Sequence, residues 1–275
     1  MTDAPAFDAE AFREFEHGGW ENLAAGYEKY WTEMTTDIAG PLLDGTKVGE
    51  GSRLLDVATG PGNIAGAAAA RGAVVTGVDF SETMVEMARR DCPGAEFRQG
   101  DAEALPFDAA GFDAVVINFG MLHFPDPDKA LAEAQRVLRP GGGIGITAWS
   151  RPGETGIGIA MGAVRDHGRI DVDLPQGTDM FRFADADECQ RVLSALGFVD
   201  IASRKVPLTW RFRSPDDLIV GFMDAAPRSG GLLKAQTPED LRAIRDAMRQ
   251  AALAYEQDGA YHIPMPAVLT TATKS

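Results

Sequence analysis

From Ser52 onward, short apolar runs alternate with helix-length segments, the pattern by which a parallel sheet with crossover helices shows itself in sequence. The runs predict strands over residues 53–58, 73–79, 95–99, 112–118 and 143–149. Between them, Asn63 caps an alanine-rich helix that Gly72 ends, and Ser81 caps a helix carrying Met84, Met87 and Ala88. Residues 128–138 form a further helix with Leu131, Ala134, Val137 and Leu138 on one face.

The flanks read differently. Residues 1–45 predict a helical cap rich in aromatics, with Phe7, Phe12, Phe15, Trp20, Tyr27, Tyr30 and Trp31. Residues 151–183 hold six glycines and read as a loop-rich insertion with one short helix at 157–167. A helix at 185–196 stopped by Gly197, a strand within 198–212, helices at 215–225 and 238–257, and a last strand at 263–273 complete the chain. The expected fold is α/β: a Rossmann-like, seven-stranded, mostly parallel sheet with helices on both faces, an N-terminal helical cap and an insertion before the last strand. Its parts are the cap (1–45), a nucleotide-binding core (46–150), and a C-terminal completion of the sheet (151–275) with lid insertions at about 151–184 and 214–258.

Composition narrows the partners. Of 275 residues, 41 are acidic and 26 basic, a formal charge of -15 that repels a phosphate backbone, so no nucleic-acid partner is expected. The first residues lack the pattern of a signal peptide and no apolar run reaches a membrane span, which predicts a cytoplasmic protein. The two cysteines, Cys92 and Cys189, have no metal or redox spacing, and no His-Glu-x-x-His or related cluster is present, so no metal is expected. Oligomeric state is not written in the sequence.

The chemistry concentrates around Leu54-Leu55-Asp56-Val57-Ala58-Thr59-Gly60-Pro61-Gly62. A strand ending in an acid and running into a glycine turn brings backbone amides and a helix start close to a ligand lying across the strand tips. Asp56 adds an acceptor for an ammonium group. Asp79 closes the second strand 23 residues later (79 − 56), where a Rossmann pattern places the carboxylate that accepts ribose hydroxyls. Asp101, in Gln99-Gly100-Asp101-Ala102, can accept from an adenine amino group. A strand-end aspartate is often only a turn former, but the three together point to an adenosine.

With Gly77-Val78-Asp79-Phe80-Ser81, Gly100-Asp101-Ala102-Glu103-Ala104-Leu105-Pro106-Phe107, Phe112-Asp113-Ala114-Val115-Val116 and Arg136-Val137-Leu138-Arg139-Pro140-Gly141-Gly142 in this order, the chain resembles the class I S-adenosylmethionine-dependent methyltransferases. Within them it is most similar to the type 11 group that includes the ubiquinone and menaquinone C-methyltransferases, over about residues 20–149. The resemblance implies S-adenosyl-L-methionine as cofactor, with Asp56 and Gly60 at its methionine part, Asp79 on the ribose, Asp101 and Ala102 on the adenine, and Asn118 lining the cleft. It also puts Tyr27 near the cofactor carboxylate and Trp31 near the cleft mouth, and Ala58, Gly62, Phe80 and Met84 complete the candidate cofactor-binding set. Ala58 stands where the family usually has a glycine.

Methyl transfer from a sulfonium needs alignment and a dry pocket more than it needs a base. His123 is the candidate base for an acceptor that must lose a proton; a loop histidine packed on Phe124 is the plain alternative. Met161, Met180, Phe181, Phe183, Phe222 and Met223 suggest an apolar pocket for a small-molecule acceptor, or else simple core packing. Arg204, Lys205, Arg211 and Arg213 read as the solvated side of a strand or as an anchor for an acidic acceptor. The expected function is methylation of a small hydrophobic molecule, with carbon ahead of oxygen or nitrogen on resemblance. The rivals are a non-methylating member that binds the same cofactor and a nicotinamide-dependent oxidoreductase, whose Gly-x-Gly-x-x-Gly would have to begin at Ala58.

Overall fold

The computed structural model describes residues 7–275; the part of the predicted cap at residues 1–6 lies outside the described residues. Three helices lead in: α1 (Ala9–Tyr30), α2 (Thr32–Thr36) and α3 (Ala39–Gly45). The core then runs β1 (Arg53–Val57), α4 (Asn63–Ala69), β2 (Val74–Asp79), α5 (Glu82–Asp91), β3 (Glu96–Gln99), β4 (Phe112–Asn118), α6 (Pro127–Val137) and β5 (Leu138–Trp149). The remainder is α7 (Gly156–His167), α8 (Ala186–Ala195), β6 (Phe198–Val206), β7 (Thr209–Phe212), α9 (Asp217–Ala225), α10 (Pro227–Lys234), α11 (Pro238–Leu253), β8 (Glu256–Gln257), β9 (Ala260–Pro264) and β10 (Ala267–Lys274).

The main sheet has seven strands in the order β3-β2-β1-β4-β5-β10-β6. β1 to β5 pair in parallel, whereas β10 is antiparallel to both β5 and β6. This is the expected mostly parallel Rossmann-like sheet. Both faces are apolar because the strand period of two sends alternate side chains to opposite cores. Leu54, Ala114 and Val116 belong to the cluster under α3 and α4, while Leu55, Val57, Val115 and Ile117 belong to the cluster under α6 and α8.

Two expectations change. The stretch 198–212 is two strands in two sheets, because Pro207 cannot donate to a ladder and breaks the run. β6 stays in the main sheet; β7 pairs with β9 in a separate three-stranded sheet, β7-β9-β8. The predicted last strand divides at the same level, between β9 and β10 around Pro264 and Pro266. Helix α10, built on Pro227-Arg228-Ser229-Gly230-Gly231, was not anticipated.

α1 lies against α9, α10 and α5. Its Gly26 permits that approach: a Cβ there would meet the Asp224 carbonyl oxygen at 1.9 Å. Asp8 caps α1, accepting from the Glu10 and Ala11 amides. No helix among the described residues is long and apolar enough to cross a membrane.

Candidate functional site

At the C-terminal ends of the parallel strands, where α/β folds place their ligands, a cleft opens. One end is bounded by the β1 and β2 tips and the other by α7, α9 and the start of α10. The structure brings Tyr27, Trp31, Ala58, Gly60, Asp79, Phe80, Met84, Asp101, Ala102, Asn118 and His123 to its wall.

Two of the candidate residues, Asp56 and Gly62, do not line it. Asp56 shares a strand face with Leu54, so its side chain turns beneath the loop toward α4 and is 1% exposed. There its Oδ2 accepts from Thr59 Oγ1 at 2.7 Å and from the Ala65 amide at 3.1 Å. Asp56 therefore caps α4, the task expected of Asn63, whose own side chain makes no cap; Gly62 in the left-handed region (φ 87°) is the N-cap residue. Gly62 serves packing as well, since a Cβ would stand 3.1 Å from that of Ala88.

Asp56 Oδ1 is buried with no partner, and burial pushes the carboxyl up to about 7, against the opposing hydrogen bonds from Thr59 and Ala65. A carboxyl raised in the fold stabilises the protein below its unfolded value near 4 and loses that contribution as pH rises through about 7. Over that interval each pH unit costs the parent about 1.4 kcal/mol, a cost Asp56→Asn does not bear. The stability of Asp56→Asn relative to the parent should therefore grow by about 3 kcal/mol from pH 5 to pH 8. Urea melts of both proteins across that range check this; parallel curves would contradict it.

Asp79, the last residue of β2, does face the cleft. Gly60 N–H donates to its Oδ2 at 2.9 Å and Ser81 N–H to its Oδ1 at 3.0 Å. Burial pushes this carboxyl up to about 6, opposed by those two amides and by His123. Gly60 has φ 53°, and nothing lies within 4 Å of where its Cβ would be, so its bare backbone opens onto the cleft. Ala58 also takes the left-handed region (φ 55°), at a cost of about 1 kcal/mol that glycine would not incur. Its methyl occupies room that Gly120 leaves: a Cβ at Gly120 would be 2.9 Å from it.

Asp101 reaches the cleft but is engaged. Arg13, on α1, donates to Asp101 Oδ2 at 2.6 Å and to Glu103 Oε2 at 2.9 Å. Asn118 is fixed at both ends, donating to the Thr35 carbonyl and accepting from Thr147 Oγ1 at 2.7 Å. Tyr27 is half-buried and donates to Thr35 Oγ1 at 3.1 Å; desolvation of the phenol pushes it up to about 12. Trp31 belongs as much to the core as to the cleft, its ring centroid 4.2 Å from that of Trp210 at a tilt of 46°, edge-on to Trp149 and Phe222, and donating to the Gly221 carbonyl.

His123 stands beside Asp79 and Trp20. Its Nδ1 is 2.8 Å from Glu16 Oε2, and its ring is edge-on to Trp20 at 5.0 Å. Neither Arg13 nor Glu16 was anticipated, because polar residues on an amphipathic helix read as its solvated side. Of the predicted acceptor-pocket residues, Met180 and Phe222 line the cleft with Leu122, Phe124, Trp149 and Ile157. Met161 is half exposed and Phe183 lies in the core under α6 and α8. Lys205 pairs with Glu154, and Arg211 with Glu33 and Asp37, all on the surface. Among the described residues no group of His, Cys, Asp or Glu could hold a metal.

Residues 55–146 match the family described as a methyltransferase domain. Over this stretch, which holds the parallel strands and the glycine turn, the chain is similar to that family. A demethylmenaquinone methyltransferase of Clavibacter sepedonicus is 43% identical over 133 residues, 47% of this chain and 51% of that protein. The chain spans about half the length of the curated relatives it matches first. Among solved structures, the [4+2]-cyclase SpnF shares the fold over 98% of this chain and 99% of that one (TM-score 0.57, 21% identity). Phosphoethanolamine N-methyltransferase 2 of Haemonchus contortus, solved with phosphomonomethylethanolamine and S-adenosylhomocysteine, does so over 96% of this chain and 60% of that one (TM-score 0.56, 19% identity).

Proposed function

We propose that the chain binds S-adenosyl-L-methionine in this cleft and transfers its methyl group to a small apolar acceptor of the quinone-precursor type, at carbon in preference to oxygen or nitrogen. The observation that carries the reading is Asp79, a buried carboxylate backed by two amides beside the open backbone of Gly60. Each of its oxygens keeps a lone pair for a ribose hydroxyl. The backbone at Ala58 and Gly60 would border the methionine part, and Ala102 with Asp101 the adenine, Arg13 sharing the aspartate. Asp56 would act indirectly by holding the loop against α4.

When bound, the cofactor supplies a methyl already activated by its sulfonium. The chain's own residues then align the acceptor and exclude water: Leu122, Phe124, Trp149, Ile157, Met180 and Phe222 give that end an apolar wall. Incubation with S-adenosylmethionine and 1,4-naphthohydroquinone tests the reading, with S-adenosylhomocysteine and a product heavier by one CH2 expected by mass spectrometry. Cofactor binding with no S-adenosylhomocysteine release from this or related phenolic acceptors would favour a non-methylating role instead.

A further inference from the structure

Resting on that reading, we propose that Glu16 is a positioning residue that fixes His123 as the Nδ1–H tautomer. The Nε2 lone pair is then the base for an acceptor that must shed a proton, the class to which phenols and hydroquinones belong. Glu16 lies on α1 and His123 in the turn after β4, 107 residues apart, yet Oε2 and Nδ1 are 2.8 Å apart. The Glu16 side chain is 2% exposed and His123 is its hydrogen-bonding partner among the described residues. A carboxylate removed from water costs several kcal/mol unless paired, so its oxygen demands the Nδ1 proton. That demand assigns the tautomer, because a neutral imidazole donates from one nitrogen and accepts at the other.

The ring lines the cleft that Asp79 and Gly60 share, and Nε2 makes no hydrogen bond among the described residues. Trp20 meets the ring near perpendicular, at 88°, and locks its plane. A strut between α1 and the β4 turn would need neither a free nitrogen nor a place on the cleft wall. In the step, the acceptor's proton passes to Nε2 as its electron pair forms the bond to the methyl carbon. The carbon–sulfur pair stays on sulfur, and the imidazolium faces two carboxylates, Glu16 and Asp79. Since α1 also holds Asp101 through Arg13, seating this helix completes both the base and the cofactor wall.

Nitrogen NMR of ring-labelled histidine in the full chain reads the tautomer without any acceptor. The parent should show Nδ1–H at His123, and Glu16→Gln should lose that preference; Nε2–H in the parent overturns the proposal, even if the variant fails to fold. In turnover of 1,4-naphthohydroquinone, His123→Ala should lower kcat about 100-fold and Glu16→Gln about 10-fold or more, with S-adenosylmethionine KM nearly unchanged. Glu16→Gln should cost nothing further in the His123→Ala background, whereas a merely structural role gives additive losses and overturns the proposal. Glu16→Asp should restore part of kcat; an unchanged kcat in Glu16→Gln also counts against it. Calorimetry with S-adenosylhomocysteine separates the two readings. A parent that fails to bind it overturns the cofactor reading and the base with it; binding with no dependence of turnover on Glu16 overturns the base alone.

Discussion

Asp79→Ala lowers affinity for S-adenosylhomocysteine by about 100-fold or more, because two hydrogen bonds to a charged acceptor together contribute about 3 kcal/mol. The loss falls on binding more than on folding. The parent's carboxyl is buried and raised to about 6, so at pH 8 the fold holds a charge that burial opposes. Removing it relieves that opposition while leaving the Gly60 and Ser81 amides without their acceptor. The two effects pull in opposite directions, and the melting temperature should shift far less than the affinity. Asp79→Asn, which keeps an acceptor of the same shape, should fall between parent and Asp79→Ala. Calorimetric titration of the three proteins at pH 8 checks the series; equal affinities would show that the ribose lies elsewhere.

Gly26→Ala should destabilise the protein by about 2 kcal/mol or more, although alanine is the better helix former by about 1 kcal/mol. The new Cβ would collide with backbone, at 1.9 Å from the Asp224 carbonyl oxygen and 2.8 Å from its carbon, so α1 must lift from α9. Gly18→Ala is the control from the same helix: its Cβ meets nothing within 4 Å, and it should stabilise by about 0.5–1 kcal/mol. Opposite signs in thermal melts support the packing of α1. Displacing α1 also moves Arg13, Trp20 and Tyr27 from the cleft and Glu16 from His123, so Gly26→Ala should weaken cofactor binding where Gly18→Ala leaves it intact. Equal effects of the two substitutions would contradict this role of the helix.

The parts of the fold legible in the sequence are those whose burial follows one simple period. β4 matches its predicted bounds because Phe112–Asn118 is an apolar run flanked by turn residues, and α5 begins where Ser81 predicts, with Ser81 Oγ accepting from the Met84 amide at 3.2 Å. α10 was hidden because Gly230 and Gly231 read as a loop. In the fold they permit close approach, Gly230 to the Met223 carbonyl and Gly231 to Leu174 and Phe15. The small sheet was hidden because a break at Pro207 looks the same whether the chain turns within one sheet or changes sheets.

The candidate site divides in the same way. Asp79 and Gly60 were legible because a strand-end acid and a glycine turn have a spacing of their own. Asp56 shows the limit of that logic: its position in the motif was readable, but the face of β1 it occupies sends it under the loop. Glu16 and Arg13 had no local signal at all. Their partners, His123, Asp101 and Glu103, lie roughly ninety to a hundred residues away in sequence, and only the docking of α1 makes a buried carboxylate of one and a bridge of the other.

On the proposed function, the cleft at the strand tips takes a cationic adenosine cofactor with no phosphates. Titration of the parent with S-adenosylhomocysteine, S-adenosylmethionine and NAD tests it most directly. Saturable binding of the first two at one site per chain, lost in Asp79→Ala, with no heat from NAD, is the result this site predicts. Binding of NAD in preference to either sulfur-containing ligand would contradict it.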